Sequence, residues 1–298
     1  MNTRAGYVGL LIAMGIGWGL TQPLGKIAVS SGYKQFGLTF WQLVIGAMLM
    51  GAVLLVRRQG VPINRRTLIF ALVLALIGTV IPNSTFYYSV ARLPSGIMSI
   101  LISTVPLMAF PVALALGMDR FSMARLAGLL CGLVGVALIA LPSTSLPESA
   151  MIAYLPIAMV GPMFYAFEGN YVAKFGTAGM DAVQAMFLAS LVGAVIILPV
   201  VISSGQWIDP SLPWGRADMA LVLESLVHTV CYCTYVWLAA RVGAVFAAQT
   251  SYIVTGTGVI WAMLLLGERF SPWVWAALGV MMLGLFLVQP RDHVAQAA

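Results

Sequence analysis

The chain has 298 residues, of which 61% are hydrophobic and only 8% charged, and its 15 Lys and Arg against 9 Asp and Glu give a net charge of +6. A soluble domain carries about 25% charged residues, so a water-covered globular protein is excluded. Mean hydropathy is +0.99; ten apolar spans of about 20 residues would use about 200 residues, leaving short loops and no room for a soluble catalytic domain.

The apolar runs predict an all-α polytopic membrane protein with spans at 7–29, 37–56, 67–90, 94–116, 124–141, 152–174, 180–202, 217–240, 243–266 and 272–289. Only helices satisfy their own backbone in lipid, and no alternating ten-residue barrel pattern is present. The first run, from Tyr7 to Val29, is too long for a signal-peptide core and no small-residue cleavage site follows it, so it is expected to be a true span. Several connections are so short that their helices form antiparallel hairpins. The longest, 203–216, holds prolines, Asp209 and two tryptophans and is expected at the membrane interface. With the N-terminus inside, ten basic residues (Arg4, Arg57, Arg58, Arg65, Arg66, Arg120, Arg125, Lys174, Arg241, Arg291) face the cytoplasm, and five (Lys26, Lys34, Arg92, Arg216, Arg269) lie outside. This bias places both termini in the cytoplasm. The basic residues thus set orientation, and no nucleic-acid partner is expected. Cys131, Cys231 and Cys233 all lie inside apolar runs, where they read as small filler rather than a disulfide framework or metal site.

Several residues break the apolar pattern. Pro106 and Pro111 interrupt the fourth span, because proline removes a backbone donor and frees a carbonyl one turn earlier. Glu168 lies well inside the sixth span, where a carboxylate costs about 2.5–3.5 kcal/mol to insert; it should face a wet cavity or be protonated. Glu224 and His228 are four apart and share a face of the eighth helix. His228 is a candidate proton carrier or hydrogen-bond donor, and hydration at the outer interface is the alternative for Glu224. Lys26 and Lys174 sit near helix ends, where snorkelling to the interface is the default. Asn83, Thr85, Gln249, Thr250 and Ser251 offer neutral hydrogen bonds. Gly128-x-x-x-Gly132 reads as close helix packing, within the chain or at a dimer contact. Metalloprotease, nucleophile-elbow and nucleotide-loop signatures are missing from the sequence, so neither an enzyme nor a cofactor is expected.

An internal repeat organises the chain. At an offset of 149 residues, Ala91-Arg92 falls on Ala240-Arg241, Thr85-Phe86 on Thr234-Tyr235, Gly135 on Gly284, and Asp119-Arg120-Phe121-Ser122 on Glu268-Arg269-Phe270-Ser271. Two five-helix halves follow, 1–146 and 147–298. An odd number of spans per half turns the second upside down, which is the plan of secondary transporters with a midplane site. The matched stretch Thr255-Gly256-Thr257-Gly258 is expected to break the ninth helix as Pro106 breaks the fourth.

Trp18-Gly19 with Lys26, Pro106 thirteen residues before Asp119-Arg120-Phe121-Ser122, and Gly267-Glu268-Arg269-Phe270 resemble the EamA-type branch of the drug/metabolite transporter superfamily. The resemblance covers essentially the whole chain. It departs at Asp119, where Glu is usual, and at Thr255, where the second repeat often has proline. It implies ten helices, cytoplasmic termini and export or exchange of small metabolites. It also implies a cavity lined by the third, fourth, eighth and ninth helices and gated by the first and sixth. Trp18, Asn83, Tyr87, Pro106, Glu168, His228, Tyr232, Tyr252 and Thr255 are then the expected substrate pathway, among further aromatics at Tyr88, Tyr235 and Trp237. Glu168, Glu224 and His228 are the candidates for proton coupling.

The expected function is export of a small, partly apolar metabolite such as an amino acid across a bacterial inner membrane by alternating access. The expected partners are the small-molecule substrate and the lipid bilayer, in a monomer or homodimer. Heavily anionic cargo is disfavoured, because it would recruit several Lys or Arg residues. The competing classes are a lipid-modifying membrane enzyme and a non-transporting scaffold.

Overall fold

The computed structural model describes residues 4–142, 146–242 and 249–288. Arg291, the first residues of the expected ninth span and the end of the tenth lie outside them. Among the described residues all regular structure is helical. The helices are α1 (Arg4–Val29), α2 (Gln35–Arg57), α3 (Arg65–Leu74), α4 (Ile81–Val90), α5 (Ser95–Ile102), α6 (Thr104–Ala115), α7 (Met123–Ala140), α8 (Leu155–Phe175), α9 (Ala182–Ser203), α10 (Arg216–Val242), α11 (Thr250–Leu266) and α12 (Pro272–Val288).

Among the described residues, seven helical runs are long and apolar enough to cross a membrane: α1, α2, α3 with α4, α5 with α6, α7, α8 with its leading turn, and α9. The α10 helix is equally long but carries Asp218, Glu224 and His228; α11 and α12 are shorter and apolar.

Helix boundaries follow from local chemistry. Asn64 opens α3 with a capping box: its side chain accepts from the backbone of Arg66 and Thr67, and Thr67 Oγ1 accepts from Asn64 N. Asp181 and Gln184 repeat the device at α9. These side chains satisfy amides that have no partner in the first helical turn. The α11 helix stops at Gly267, whose φ of 67° suits a residue without a Cβ. The third span is not one α-helix. Ala75–Val80 forms a π-helical turn between α3 and α4, a feature no sequence pattern announces. The fourth span breaks at Ser103 between α5 and α6. Pro106 lacks the amide that would bond to Ile102, and its ring crowds that carbonyl. The expected break in the ninth span is corrected: α11 runs unbroken through Thr255–Gly258. No proline interrupts the ladder there, and the hydroxyls of Thr255 and Thr257 fold back onto the carbonyls of Ser251 and Ile253.

Two arrangements of packing build the bundle. The α1 helix lies against α10 and α11, and α8 lies against α4 and α6. The α2–α9, α5–α11 and α7–α12 pairs join the first half of the chain to the second. Small residues permit these approaches. A Cβ on Gly19 would overlap Thr257 of α11. On Gly128 it would lie 2.7 Å from the Gly284 carbonyl of α12, so this glycine pair packs within the chain.

Candidate functional site

An internal cavity of about 50 Å³ lies among α1, α2, α4, α5, α8 and α10. A water needs roughly 10–15 Å³ of such space, so the cavity admits a few waters. Gln42, Asn83, Tyr165, Glu224 and His228 give it polar walls, and Phe86, Met98 and Ile102 give it apolar ones. No Lys or Arg is among its described lining residues.

The α10 helix presents Glu224, His228 and Tyr232 at successive four-residue steps, which places them on one face. Glu224 is 2% exposed, and the Tyr87 hydroxyl donates to its Oε2 at 3.0 Å. Glu224 is thus enclosed by protein rather than hydrated at the surface. Trp18 Nε1 donates to His228 Nδ1 at 3.3 Å. A nitrogen that accepts is unprotonated, so this geometry assigns a neutral imidazole with its proton on Nε2. The His228 and Tyr232 rings stack with centroids 6.4 Å apart, and Trp18 sits 6.1 Å from His228 and 5.7 Å from Tyr235. The Tyr232 hydroxyl donates at 2.8 Å to Oε1 of Glu168 on α8.

Glu168, 7% exposed, rests against the π-helical turn. A Cβ on Gly78 would lie 2.6 Å from its Oε1 and 2.7 Å from its Cδ. The missing side chain is what lets the carboxylate approach the backbone. π-helical turns frequently occur at functional sites. A second strand of the network joins Tyr165 to Asn83 at 2.8 Å and Asn83 to Gln42 at 2.6 Å, tying α8, α4 and α2 together. Asn170 donates to the carbonyl of Ala109 at 3.1 Å and so fastens α8 to α6. Glu168 and Glu224 are the only charged side chains buried among the described residues, and each is held by one tyrosine hydroxyl.

Of the expected pathway residues, Trp18, Asn83, Tyr87, Glu168, His228 and Tyr232 come together here with Glu224. Three stand apart. Pro106 acts through the helix break, whose last α5 residue, Ile102, lines the cavity. The Thr255 hydroxyl is bonded within its own helix. The Tyr252 hydroxyl is buried with no partner among the described residues. Sequence reasoning misses Gln42, Tyr165 and Gly78. The first is a lone amide in an apolar span and was detectable on that ground; the other two have no local signal. Lys26 donates to the carbonyls of Ala91 and Leu93, and Lys174 to that of Leu116, so both lysines finish helix ends rather than reach the cavity. Among the described residues no three His, Cys, Asp or Glu side chains gather as a metal would require.

A second, open cavity of about 550 Å³ lies at one end of the bundle, where Lys26, Arg216 and Glu268 line it.

The profile of the EamA-like transporter family matches the chain twice, over residues 5–141 and 152–289. The chain is 26% identical over 282 residues to the uncharacterized inner membrane transporter YedA of Escherichia coli strain K12, covering 94% of this chain and 89% of the relative. The YedA proteins of E. coli O6:H1 and O157:H7 match to the same extent. A solved crystal structure shares the fold, with a TM-score of 0.64 at 17% identity and 96% of each chain covered.

Proposed function

This chain belongs to the EamA-like transporter family and is a membrane transporter, and we propose that it exports a small amphiphilic metabolite by alternating access across a bacterial inner membrane. The family and the YedA relative both indicate a transporter rather than an enzyme. In this reading the chain is a ten-helix bundle with cytoplasmic termini, made of inverted repeats at 1–146 and 147–298. The helix contacts support it. Exchanging the halves turns the packing of α1 on α10 and α11 into the packing of α8 on α4 and α6, while the α2–α9, α5–α11 and α7–α12 pairs map onto themselves.

One observation carries the mechanism: the cavity between the halves is walled by α1, α2, α4 and α5 from one and by α8 and α10 from the other. Small-molecule sites measure about 300–1,000 Å³, against about 50 Å³ here. Parting of the halves must therefore admit the substrate. Trp18, Tyr87, Tyr232 and Asn83 offer it aromatic faces and hydrogen bonds. Glu168 carries the coupling proton, because it is buried between α8, α10 and the π-helical turn and has a hydroxyl donor to hold its anion. A ligand-stabilisation screen of purified protein identifies the substrate, and transport is then followed in proteoliposomes. Glu168→Gln mimics the protonated acid: accumulation driven by a proton gradient should be lost while counterflow exchange survives. Accumulation with unchanged pH dependence would remove Glu168 from coupling.

A further inference from the structure

We propose that the cavity selects organic cations, so that the cargo is an amine with an apolar body rather than a free amino acid, and that Glu224 is the carboxylate that receives the ammonium group. This inference rests on the transport reading above and narrows its substrate class. The argument is one of charge. Glu224 lines the cavity at 2% exposure, and Glu168 lies one ring away behind Tyr232. No Lys or Arg is among the described lining residues. The remaining basic group, His228, is neutral in its bond with Trp18. Lys26 and Arg216 line the separate cavity at the end of the bundle.

A zwitterionic amino acid would bring a carboxylate into this setting. Its ammonium group would find Glu224, but its own carboxylate would meet acids and apolar surface, and an unpaired buried charge is costly. An amine lacking that carboxylate has no such conflict. Glu224 supplies a charge-assisted hydrogen bond. Phe86 and Tyr165 line the cavity and supply aromatic faces, which attract cations through their ring quadrupoles. The Asn83 and Gln42 amides and the Thr21 hydroxyl complete a polar wall without adding charge.

Four probes share one aromatic body and differ in the polar groups it carries, compared in mildly acidic buffer where both amines are protonated: phenethylamine, phenylalanine amide, phenylalanine and 3-phenylpropionate. Thermal unfolding of the purified full chain in detergent should shift upward with the two cations and remain unchanged with the zwitterion and the anion. Glu224→Gln should weaken cation binding roughly tenfold to a hundredfold, the range for a lost hydrogen bond to a charged group. Glu224→Asp keeps the charge and should retain measurable binding, which separates loss of the carboxylate from loss of the fold. Equal or stronger stabilisation by phenylalanine overturns the inference, as does a failure of both cations to bind. The parent reading is tested separately, by loading the same probes into proteoliposomes. Movement of the zwitterion alone would sink the cation inference and leave the transporter reading intact. Cation binding without any movement would do the reverse.

Discussion

Glu268 and Asp119 open the same acid-Arg-Phe-Ser motif at equivalent places in the two halves, and they bond to different things. Glu268 crosses to the other half. Its Oε1 accepts from Ser95 N at 2.7 Å and Ser95 Oγ at 2.9 Å, and its Oε2 accepts from Gly96 N at 3.0 Å. Those amides open α5, whose N-cap position is Pro94. Proline has no side chain that can cap, so the orphan donors of the first turn need an acceptor from elsewhere. A carboxylate is also favoured there by the helix dipole. Asp119 stays at home: it accepts from the backbone of Arg120 and pairs with Arg125. The phenylalanines diverge likewise. Phe270 packs on the core cluster around Ile97 and Ile100, where a Cβ on Gly96 would overlap its ring. Phe121 is 64% exposed. A repeated motif therefore fixes a turn, and the contacts that turn makes across the halves are set separately at each end. In an alternating-access protein such contacts are what must be broken and remade.

The largest expected effect comes from the aromatic pair. Phe270→Ala should destabilise the protein by about 2–3 kcal/mol, somewhat below the 3–5 kcal/mol of a fully buried phenylalanine because the ring is only half-buried. Phe121→Ala should stay within about 0.5 kcal/mol, as for other surface substitutions. Unfolding of both variants in the same detergent measures the difference, and equal losses would dissolve the contrast between the turns.

The acids come next. Glu268→Ala strands the buried amides of Ser95 and Gly96 and should cost roughly 1–3 kcal/mol. Asp119→Ala removes a partly exposed local pair and should cost under about 1 kcal/mol. Glu268→Asp, one methylene shorter, should fall between them. If it matches Glu268 in stability, reach is not what separates the two acids.

The same contrast explains what the sequence could and could not reveal. The helical class and the seven long apolar runs are legible because apolar runs in lipid have only one way to satisfy their backbone. The Pro106 break is legible in the amide that proline lacks, but a proline alone does not decide a break: Pro111, expected to interrupt the same span, stays inside α6. The break expected at Thr255–Gly258 rests on a glycine- and hydroxyl-rich stretch matched to Pro106, but no proline stands there, and the threonine hydroxyls rejoin their own helix and leave it whole. Glu168 stood out through the cost of a charge in an apolar run. Its seat did not: Gly78 is one glycine among 30, and a π-helical turn leaves no compositional trace. Glu224 was ambiguous because its burial depends on Tyr87, which is 137 residues away. Partnerships of that range are properties of the fold.

The smallest expected effect lies at the Glu268 end, where loops as well as helices are joined. Phe36 N donates to Gln206 at 2.9 Å, Trp41 Nε1 to the Ile208 carbonyl at 3.0 Å, and the Tyr33 hydroxyl to Asp218 Oδ1 at 2.7 Å. The Tyr33 phenol is held above its ordinary range, first by its hydrogen bond to Asp218, then by partial burial and by repulsion from Asp218 and Asp209. A raised folded-state value means the neutral phenol is the stabilised form. Its contribution is complete below the unfolded value of about 10 and is lost as pH rises through the folded one. Tyr33→Phe should therefore lower stability by no more than about 0.5 kcal/mol at neutral pH, since a partly exposed pair is screened by solvent. That deficit should persist unchanged to about pH 9 and shrink in more alkaline solution, where the wild-type phenol ionises beside two carboxylates. Parallel melting curves of both proteins from neutral to alkaline pH measure it. A deficit that grows with pH would mean that the Tyr33–Asp218 contact does not fasten this end as the neutral donor described here.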